Sequence, residues 1–355
     1  MKRMWLGTLA LTALAACDDP TRPAEQSTGQ LTDAVQRAQY SVKNLGAMGG
    51  LESGALGINN HGDVVGFAFL DAIGVVRAVL WPAGRDPRSL GTLGGANSRA
   101  RDINDQGEVT GASDIGRNKP GTHAFLWSES GGMRDLGTLG GLNSAGWGIN
   151  NLGEVVGESG VGGERSHAFL WRPGGGMQDL GTLGGKGSIA RRVNDASEVV
   201  GTSETGNGHS HAFIWTPARG MEDLGTLGGL ESTGIAISQT GAVVGVSQTG
   251  AGITEAFLWT RTDGMRSLGT FSPRSSDIEP NGVNSAGQVV GVASDPDTPF
   301  RPWIWTEQDG MRRLPTLGGG EGYPRGMNEA GQVVGFGVTA ALELRATLWT
   351  PVAGN

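Results

Sequence analysis

Residues 123–141 read HAFLWSESGGMRDLGTLGG, and close copies follow at residues 167–185 (HAFLWRPGGGMQDLGTLGG) and 211–229 (HAFIWTPARGMEDLGTLGG). Looser copies lie on both sides of these three. The tryptophan that closes HAFLW or its equivalent recurs at Trp81, Trp127, Trp171, Trp215, Trp259, Trp305 and Trp349. The leucine that opens LGTLGG or its equivalent recurs at Leu45, Leu90, Leu136, Leu180, Leu224, Leu268 and Leu314. Seven copies at steps of 44 to 46 residues indicate a repeat architecture.

Each copy predicts four short strands, which we call A to D. In the third copy these are SAGWGIN (144–150), EVVGES (154–159), SHAFLW (166–171) and GMQDLG (176–181). An Asn-x-x-Gly turn joins A to B and a glycine-containing loop joins C to D, so consecutive strands are antiparallel neighbours. A four-stranded unit of this length is typical of a propeller blade. We therefore predict an all-β, seven-bladed β-propeller of four-stranded antiparallel blades over residues 40–355.

The two ends of the repeat region complement each other. The region opens with a lone D-like strand, Tyr40 to Leu45, and the last copy stops after its C strand, Arg345 to Trp349. The N-terminal strand can therefore complete the last blade. Such pairing closes the ring and removes an open sheet edge.

The N-terminus has the pattern of an export signal. Lys2 and Arg3 precede a short apolar run, and residues 14–17 read LAAC, which resembles the lipobox of bacterial lipoproteins. We expect residues 1–16 to be a lipoprotein signal peptide, Cys17 to be lipidated and residues 17–39 to form a flexible tether. The alternative is an ordinary signal peptide with a chance cysteine. The first interpretation predicts an extracytoplasmic lipoprotein anchored in the bacterial cell envelope, in a membrane that the sequence does not specify.

The HAFLW and DLGTLGG elements together carry a family resemblance. His-Ala-Phe at 123–125, 167–169 and 211–213, each followed by a large aliphatic residue, Trp and then DLGTLGG, resembles the HAF-family extracellular repeat proteins of bacteria. The resemblance covers residues 45–349 and implies export and repeats. It implies no activity. The first, fifth, sixth and seventh copies depart from the motif.

Composition excludes several classes of protein. The 355 residues include 64 Gly, and each glycine costs a helix interior about 1 kcal/mol, which excludes a helical bundle. A single cysteine excludes a disulfide framework. The formal charge of −8 without a basic cluster argues against nucleic-acid binding. We expect no metal ion, no cofactor and a monomeric chain.

Three histidines occupy equivalent positions at the start of strand C, and an aspartate follows each of them by twelve residues. Copies that lack the histidine also lack the aspartate. We interpret these as structural cross-strand hydrogen bonds, with the two side chains opposite each other. The pairs are His123 with Asp135, His167 with Asp179 and His211 with Asp223. Because strand C is the third strand from the axis, the three histidines are too far apart to bind one metal ion.

Strand A, expected innermost, varies most between copies. Alternate residues share a face of a strand. One variable set is Leu56, Arg101, Trp147, Arg191, Ile235, Asn281 and Arg325, and a second is Glu52, Asn97, Asn143, Glu231, Asp277 and Glu321. We expect both sets to ring the upper channel, on the side of the D–A and B–C loops. The best predicted patch for a polar ligand combines Trp147, for stacking, with Arg101 and Arg191. The alternative is that these side chains only solvate the channel.

These patterns favour a binding or interaction scaffold for a polar ligand, either a glycan or a protein or peptide partner. Two alternatives stay open. One is a glycan-active hydrolase or lyase at the channel mouth, where Glu231, Asp277, Glu279 and Glu321 are expected. The other is a purely structural envelope protein. The sequence leans away from an enzyme, because no catalytic residue stands out from the repeats.

Overall fold

The computed structural model describes residues 40–70, 74–116, 120–163, 165–270, 277–295 and 298–352, with the backbone alone for residues 277, 295, 298 and 299. These residues form seven four-stranded antiparallel sheets arranged as the blades of a ring. They contain no helix. The predicted all-β, seven-bladed propeller is therefore confirmed. The export signal, Cys17 and the tether lie outside the described residues.

The order of strands in each sheet is A-B-C-D from the axis outward. Strand A spans Ser53–Ile58, Ser98–Ile103, Ser144–Ile149, Gly184–Val193, Gly228–Ile237, Asp277–Val283 and Gly318–Met327 in blades 1 to 7. Strand B spans Val64–Phe69, Val109–Asp114, Val155–Gly160, Val199–Thr205, Val243–Thr249, Val289–Asp295 and Val333–Thr339. Strand C spans Val76–Trp81, Thr122–Ser128, Ser166–Arg172, Ser210–Thr216, Thr254–Thr260, Thr298–Thr306 and Leu344–Pro351. Strand D spans Arg88–Ser89, Gly132–Asp135, Gly176–Asp179, Gly220–Asp223, Gly264–Gly269 and Gly310–Arg313 in blades 1 to 6.

The fourth strand of blade 7 comes from the other end of the chain. Tyr40–Gly46 pairs antiparallel with Leu344–Pro351, with Val42 opposite Trp349. The Tyr40 hydroxyl donates a hydrogen bond of 2.9 Å to the carbonyl of Gly331. The N-terminal strand thus closes the ring as the sequence predicts.

The hydrophobic core lies between the blades. Each of the seven junctions between neighbouring blades holds its own apolar cluster. The repeated tryptophans belong to these clusters, and Trp349 is fully buried. Both faces of a blade are covered, which explains why strands B and C read as continuous apolar runs. We name each junction by the two blades that it joins.

The A–B turns are built by side-chain capping. The Asn150 Oδ1 atom accepts N–H groups from Leu152 and Glu154 at 3.1 and 2.9 Å, and Gly153 adopts a φ of 71°. Blade 4 places Ser197 at the equivalent position with a φ of 57°, a conformation that is uncommon for a residue with a Cβ. Its hydroxyl donates to the Glu154 carboxylate of blade 3 at 2.7 Å, so a neighbouring blade holds this turn in place.

A serine near the start of strand A links blades at five junctions. In blade 3 the Ser144 hydroxyl accepts the N–H of Ala124 at 2.9 Å and donates to the carbonyl of Gly137 at 2.6 Å. The serines that make these two bonds are Ser53, Ser98, Ser144, Ser188 and Ser232. Ile278 and Gly322 replace the serine at junctions 5/6 and 6/7. At junctions 2/3, 3/4 and 4/5 the N–H that the serine accepts belongs to the alanine of the HAF element.

Two further rings of hydrogen bonds surround the mouth at the A–B turns. In the first ring, the side-chain amide of the asparagine that opens the A–B turn donates to the backbone carbonyl of the equivalent residue in the next blade. The donors are Asn59, Asn104, Asn150, Asn194 and Asn328. In the second ring, the side chain of the second turn residue accepts the backbone N–H of the equivalent residue in the preceding blade. The acceptors are Asn60, Asp105, Asn151, Asp195, Gln239 and Glu329. Junction 5/6 has neither contact among the described residues, since Ser238 carries no amide and Ser285 accepts no N–H from Gln239.

Candidate functional site

One residue of each strand A stands outside the hydrogen-bonded ladder. In blade 2, Ala100 pairs with Gly111 and Asp102 pairs with Thr110, so Arg101 is the extra residue of a β-bulge. The same register shift occurs in all seven blades. A bulge frees one residue from pairing and re-aims its side chain. The seven bulge residues are Leu56, Arg101, Trp147, Arg191, Ile235, Asn281 and Arg325.

All seven bulge residues line one chamber of about 340 Å³ on the axis. This is the first predicted set, and the structure brings it together as expected, on the side of the D–A and B–C loops. A smaller cavity of about 140 Å³ lies towards the A–B turns. The two cavities share Leu56, Arg192 and Asn281 in their walls, so these residues form the constriction between them.

The predicted patch of Trp147, Arg101 and Arg191 forms the most tightly packed wall of the chamber. The Cζ atom of Arg101 lies 3.3 Å from the centre of the Trp147 ring, and that of Arg191 lies 5.6 Å away. The Trp147 Nε1–H donates to the Glu158 carboxylate at 3.2 Å. The Arg101 guanidinium thus stacks on the Trp147 ring, and ligand binding by this patch stays a prediction.

The electrostatic character of the chamber is basic. Five arginines and one glutamate line it, although the whole chain carries a formal charge of −8. Burial lowers the pKa of Arg101 to about 10 and also lowers the pKa of Arg191, because desolvation disfavours the charged guanidinium. The Nε atoms of both side chains are buried without a hydrogen-bond partner. Nothing on the protein neutralises these two groups by direct contact among the described residues.

Arg192 and Asp102 fix the floor below Trp147. The Arg192 Nη1 group donates to the backbone carbonyl of Trp147 at 2.7 Å. The Asp102 carboxylate accepts the N–H of Ile149 and that of Ile103, each at 3.1 Å. Burial raises the pKa of Asp102, while the charge of Arg192 and these hydrogen bonds oppose the shift. Most other blades have glycine at this position, so these two side chains are specific to this part of the ring.

The second predicted set does not line the chamber. The Asn143 Oδ1 atom accepts the N–H of Thr122 at 3.0 Å, and the Glu231 carboxylate accepts that of Ser210 at 3.0 Å. Each of these two side chains thus caps strand C of the preceding blade. Glu321 accepts the hydroxyl of Tyr323 at 2.7 Å. Strands twist along their length, so residues that share a face near the bulge face a neighbouring blade four residues earlier. The side chain of Asp277 lies outside the described residues.

The three predicted histidine–aspartate pairs are present. Nδ1 of His123, His167 and His211 lies 2.8 to 3.0 Å from the carboxylate oxygens of Asp135, Asp179 and Asp223. The pairs are diagonal and not opposite, because each aspartate pairs directly with the phenylalanine of HAF. The aspartate side chains are about 40% exposed, so each bond contributes little to stability.

In the blades that lack this histidine, the residue at the same position has a different hydrogen-bond partner. Glu255 accepts the hydroxyl of Ser267. Arg77, Arg301 and Arg345 instead donate to backbone carbonyls of the next blade, at Ala96, Gly320 and Leu51. The position is therefore structural in every blade.

Sequence reasoning missed several chamber residues. Arg99 lies two residues before the bulge, and Phe67 and Phe336 come from strand B, whereas Glu279 had been expected at the channel mouth as one of the acids of the enzyme alternative. Arg99 stacks on Phe67 at 4.4 Å and Arg325 on Phe336 at 5.1 Å, measured from Cζ to the ring centre. Arg325 also lies 3.8 Å from the Glu279 carboxylate. The signal that could have found the phenylalanines is variation between copies at the residue directly after the glycine of the VVG element, which is Phe67, Glu158 or Phe336 in three of the blades.

Metal-binding potential is low in the described part of the chain. It contains no group of three or more His, Cys, Asp or Glu side chains placed to hold a metal ion. It also contains no helix long and apolar enough to cross a membrane.

Comparison with known proteins supports the fold. The chain is similar to TolB from Acinetobacter baumannii (15% identity, TM-score 0.50), covering 70% of this chain and 62% of that one. It is similar to the S511A mutant of puromycin hydrolase (14%, 0.51), covering 84% and 50%. It is also similar to BP39L lectin from Burkholderia pseudomallei (11%, 0.53), covering 90% and 97%. No family model and no curated protein matches the sequence. The likenesses establish a propeller and no activity.

Proposed function

We propose that this chain is an extracytoplasmic binding protein whose axial chamber takes a small polar ligand. One observation carries the proposal. The seven bulge residues differ in type from blade to blade, yet all of them line the same chamber, while the rest of each blade repeats. A concave site with a few convergent polar groups and perturbed pKa values is the usual form of a ligand site.

The proposal includes an envelope location. It rests on residues 1–17, whose pattern resembles a lipoprotein signal, and on the HAF-type repeats. Lipidated Cys17 would anchor the protein and residues 18–39 would hold the propeller away from the membrane. Several acyl chains give a stable anchor, whereas one gives a marginal anchor.

The anchor is tested by fractionation. Cys17→Ala should release the protein from membrane fractions or block its processing, and metabolic labelling with an alkyne fatty acid should mark the wild-type chain alone. Recovery of unlabelled wild-type protein from the soluble fraction contradicts the anchor without affecting the ligand site.

The enzyme alternative has less support. Glu231 and Glu321 are held by hydrogen bonds outside the chamber. Of the four acids on which that alternative depends, Glu279 lines the chamber, where it lies beside Arg325. A single carboxylate next to an arginine does not provide the acid and base pair that glycoside hydrolysis uses.

The ligand site is tested by array screening of the full chain in detergent against glycans and peptides, with turnover assays on any ligand found. The variant that replaces Trp147, Arg101 and Arg191 with alanine should lose binding while keeping its circular dichroism spectrum. A ligand that binds this variant as tightly as the wild type overturns the site assignment.

A further inference from the structure

The chamber presents guanidinium edges and not aromatic faces. Arg101 lies over Trp147, Arg99 over Phe67 and Arg325 over Phe336. In such stacks the ring fixes the plane of the guanidinium and leaves its N–H edge free. Planar N–H edges match the oxygen atoms of carboxylates and phosphates. The chamber is therefore built to recognise an anion and is poorly suited to stacking on a sugar.

Two guanidinium groups of the chamber, those of Arg101 and Arg191, combine a buried Nε atom with the lack of any protein acceptor among the described residues. Arg192 is satisfied by the carbonyls of Trp147 and Arg191, and Arg325 lies near Glu279. A buried charge without a partner is costly, and folded proteins keep such groups mainly where a ligand supplies the counter-charge.

The chamber continues sideways into an apolar cleft. A cavity of about 340 Å³ shares Arg191, Ile235 and Glu279 with the chamber and extends between blades 5 and 6. The rest of its lining is mostly aliphatic or aromatic, with Thr233, Val246, Thr254, Ile278, Val292 and Phe300. Ile278 stands where five other blades have the bridging serine. The cleft therefore lies at the junction that lacks the repeated polar links.

We propose that the ligand is an organic oxyanion with an apolar substituent: its carboxylate or phosphate group lies between Arg101 and Arg191, and its apolar part occupies the cleft between blades 5 and 6. The inference rests on the proposed function, because it assigns a chemical class to the ligand of the same chamber. It departs from a neutral glycan. Burial of the apolar part adds affinity roughly in proportion to its area.

The binding test uses the full chain in detergent and isothermal titration calorimetry. The probes are 4-phenylbutyrate, phenyl phosphate, acetate and the neutral 4-phenyl-1-butanol. At least one of the two aryl anions should bind about tenfold more tightly than acetate, because acetate cannot fill the cleft. The alcohol should bind at least about tenfold more weakly than the anions, and raising the salt concentration should weaken anion binding. Comparison of the two aryl anions separates carboxylate from phosphate.

Variants separate the two parts of the site. The double variant Arg101→Met, Arg191→Met should lose at least about tenfold in anion affinity. Arg134→Met is the matched control, because Arg134 also lies over a tryptophan, Trp171 of blade 3 at 5.4 Å, but Arg134 is on the outer strand of blade 2. Val246→Phe should fill the cleft and reduce binding of the aryl anions to the level of acetate. Val352→Phe, at an exposed position after the last strand and outside both cavities, should leave binding unchanged.

Several results would overturn the inference. They are equal binding of the alcohol and the anions, full binding by the Arg101 and Arg191 double variant, or no anion binding up to about 10 mM. If a neutral glycan binds and the triple alanine variant loses it, the proposed function stands and the anion inference fails. If a ligand binds the triple variant undiminished, the proposed function itself fails.

Discussion

Junction 7/1 and junction 5/6 differ in a way that chain connectivity does not predict. Junction 7/1 adjoins the blade that both ends of the chain build together, by pairing Tyr40–Gly46 with Leu344–Pro351 inside blade 7, whereas junction 5/6 lies between two blades that are each built from one stretch of chain. Junction 7/1 nevertheless has the serine bridge of Ser53, the amide bond of Asn328 and the side-chain acceptor Asn60. Junction 5/6 has none of these three contacts among the described residues. Ring integrity thus depends on side-chain links and not on the peptide chain alone.

Apolar packing takes the place of the missing links at junction 5/6. Its cluster includes Ile278 and the buried tryptophans Trp303 and Trp305. Hydrophobic contacts are less directional than hydrogen bonds, so they leave more freedom in how the two blades meet. The cleft beside the chamber lies at this junction. The comparison teaches that, among the described residues, junction 5/6 lacks all three repeated links and borders the cleft, whereas junction 6/7 keeps one link, the acceptor Glu329.

The largest expected effect comes from breaking the closing strand. Val42 packs into the cluster of junction 6/7, opposite Trp349. Val42→Asp would bury a carboxylate there and should lower the free energy of unfolding by about 2–4 kcal/mol. Lys43→Asp, on the exposed face of the same strand, is the control and should change the Tm little. Equal Tm values for the two variants would contradict closure by this strand.

Removal of one serine bridge should have an intermediate effect. Ser53→Ala leaves the buried N–H of Ala346 without its acceptor and should cost about 1–3 kcal/mol. Ser41→Ala serves as the control, because its hydroxyl makes only a long, exposed bond of 3.4 Å to Thr350. Urea unfolding measures both. If Ser53→Ala unfolds at the wild-type midpoint, the bridges do not hold the ring together.

Repair of junction 5/6 should have the smallest effect and the opposite sign. Ser238→Asn supplies the amide that can donate to the carbonyl of Asn284 and should stabilise the protein by about 0.5–1 kcal/mol. The reverse change one junction earlier, Asn194→Ser, should cost a similar amount, since Asn194 now donates to Ser238 at 3.3 Å. Thermal unfolding compares them. A destabilised Ser238→Asn protein would mean that the junction is already optimal as it stands.

Much of the architecture could be predicted from the sequence. Repeat length, turn residues and the unmatched strand at each end determine the blade count and the closure, because these are local or periodic signals. The His–Asp pairing was also found, but not its diagonal geometry. That geometry depends on the register between strands C and D, which the loop of residues 129–131 sets and which places Asp135 opposite Phe125.

The chamber was only partly predictable. The bulge residues were found because their identity varies between copies. The bulge itself was not predicted, because strand A differs in sequence from blade to blade and no residue type marks the extra position. The assignment of Asn143 and Glu231 to the channel failed because strand twist is not visible in residue alternation. The contact between Arg101 and Trp147 was not predicted, because only coordinates reveal that the guanidinium stacks on the ring.

The bulge also bears on how such a protein can change. Because the bulge residue contributes nothing to strand pairing, its side chain can be exchanged without altering the register of strands A and B. Seven positions, one per blade, can therefore change without altering strand pairing, and those in contact, such as Arg101 and Trp147, are expected to change together. Recombining residue choices at these seven positions would produce a library of chambers with different charge and shape on a single fold.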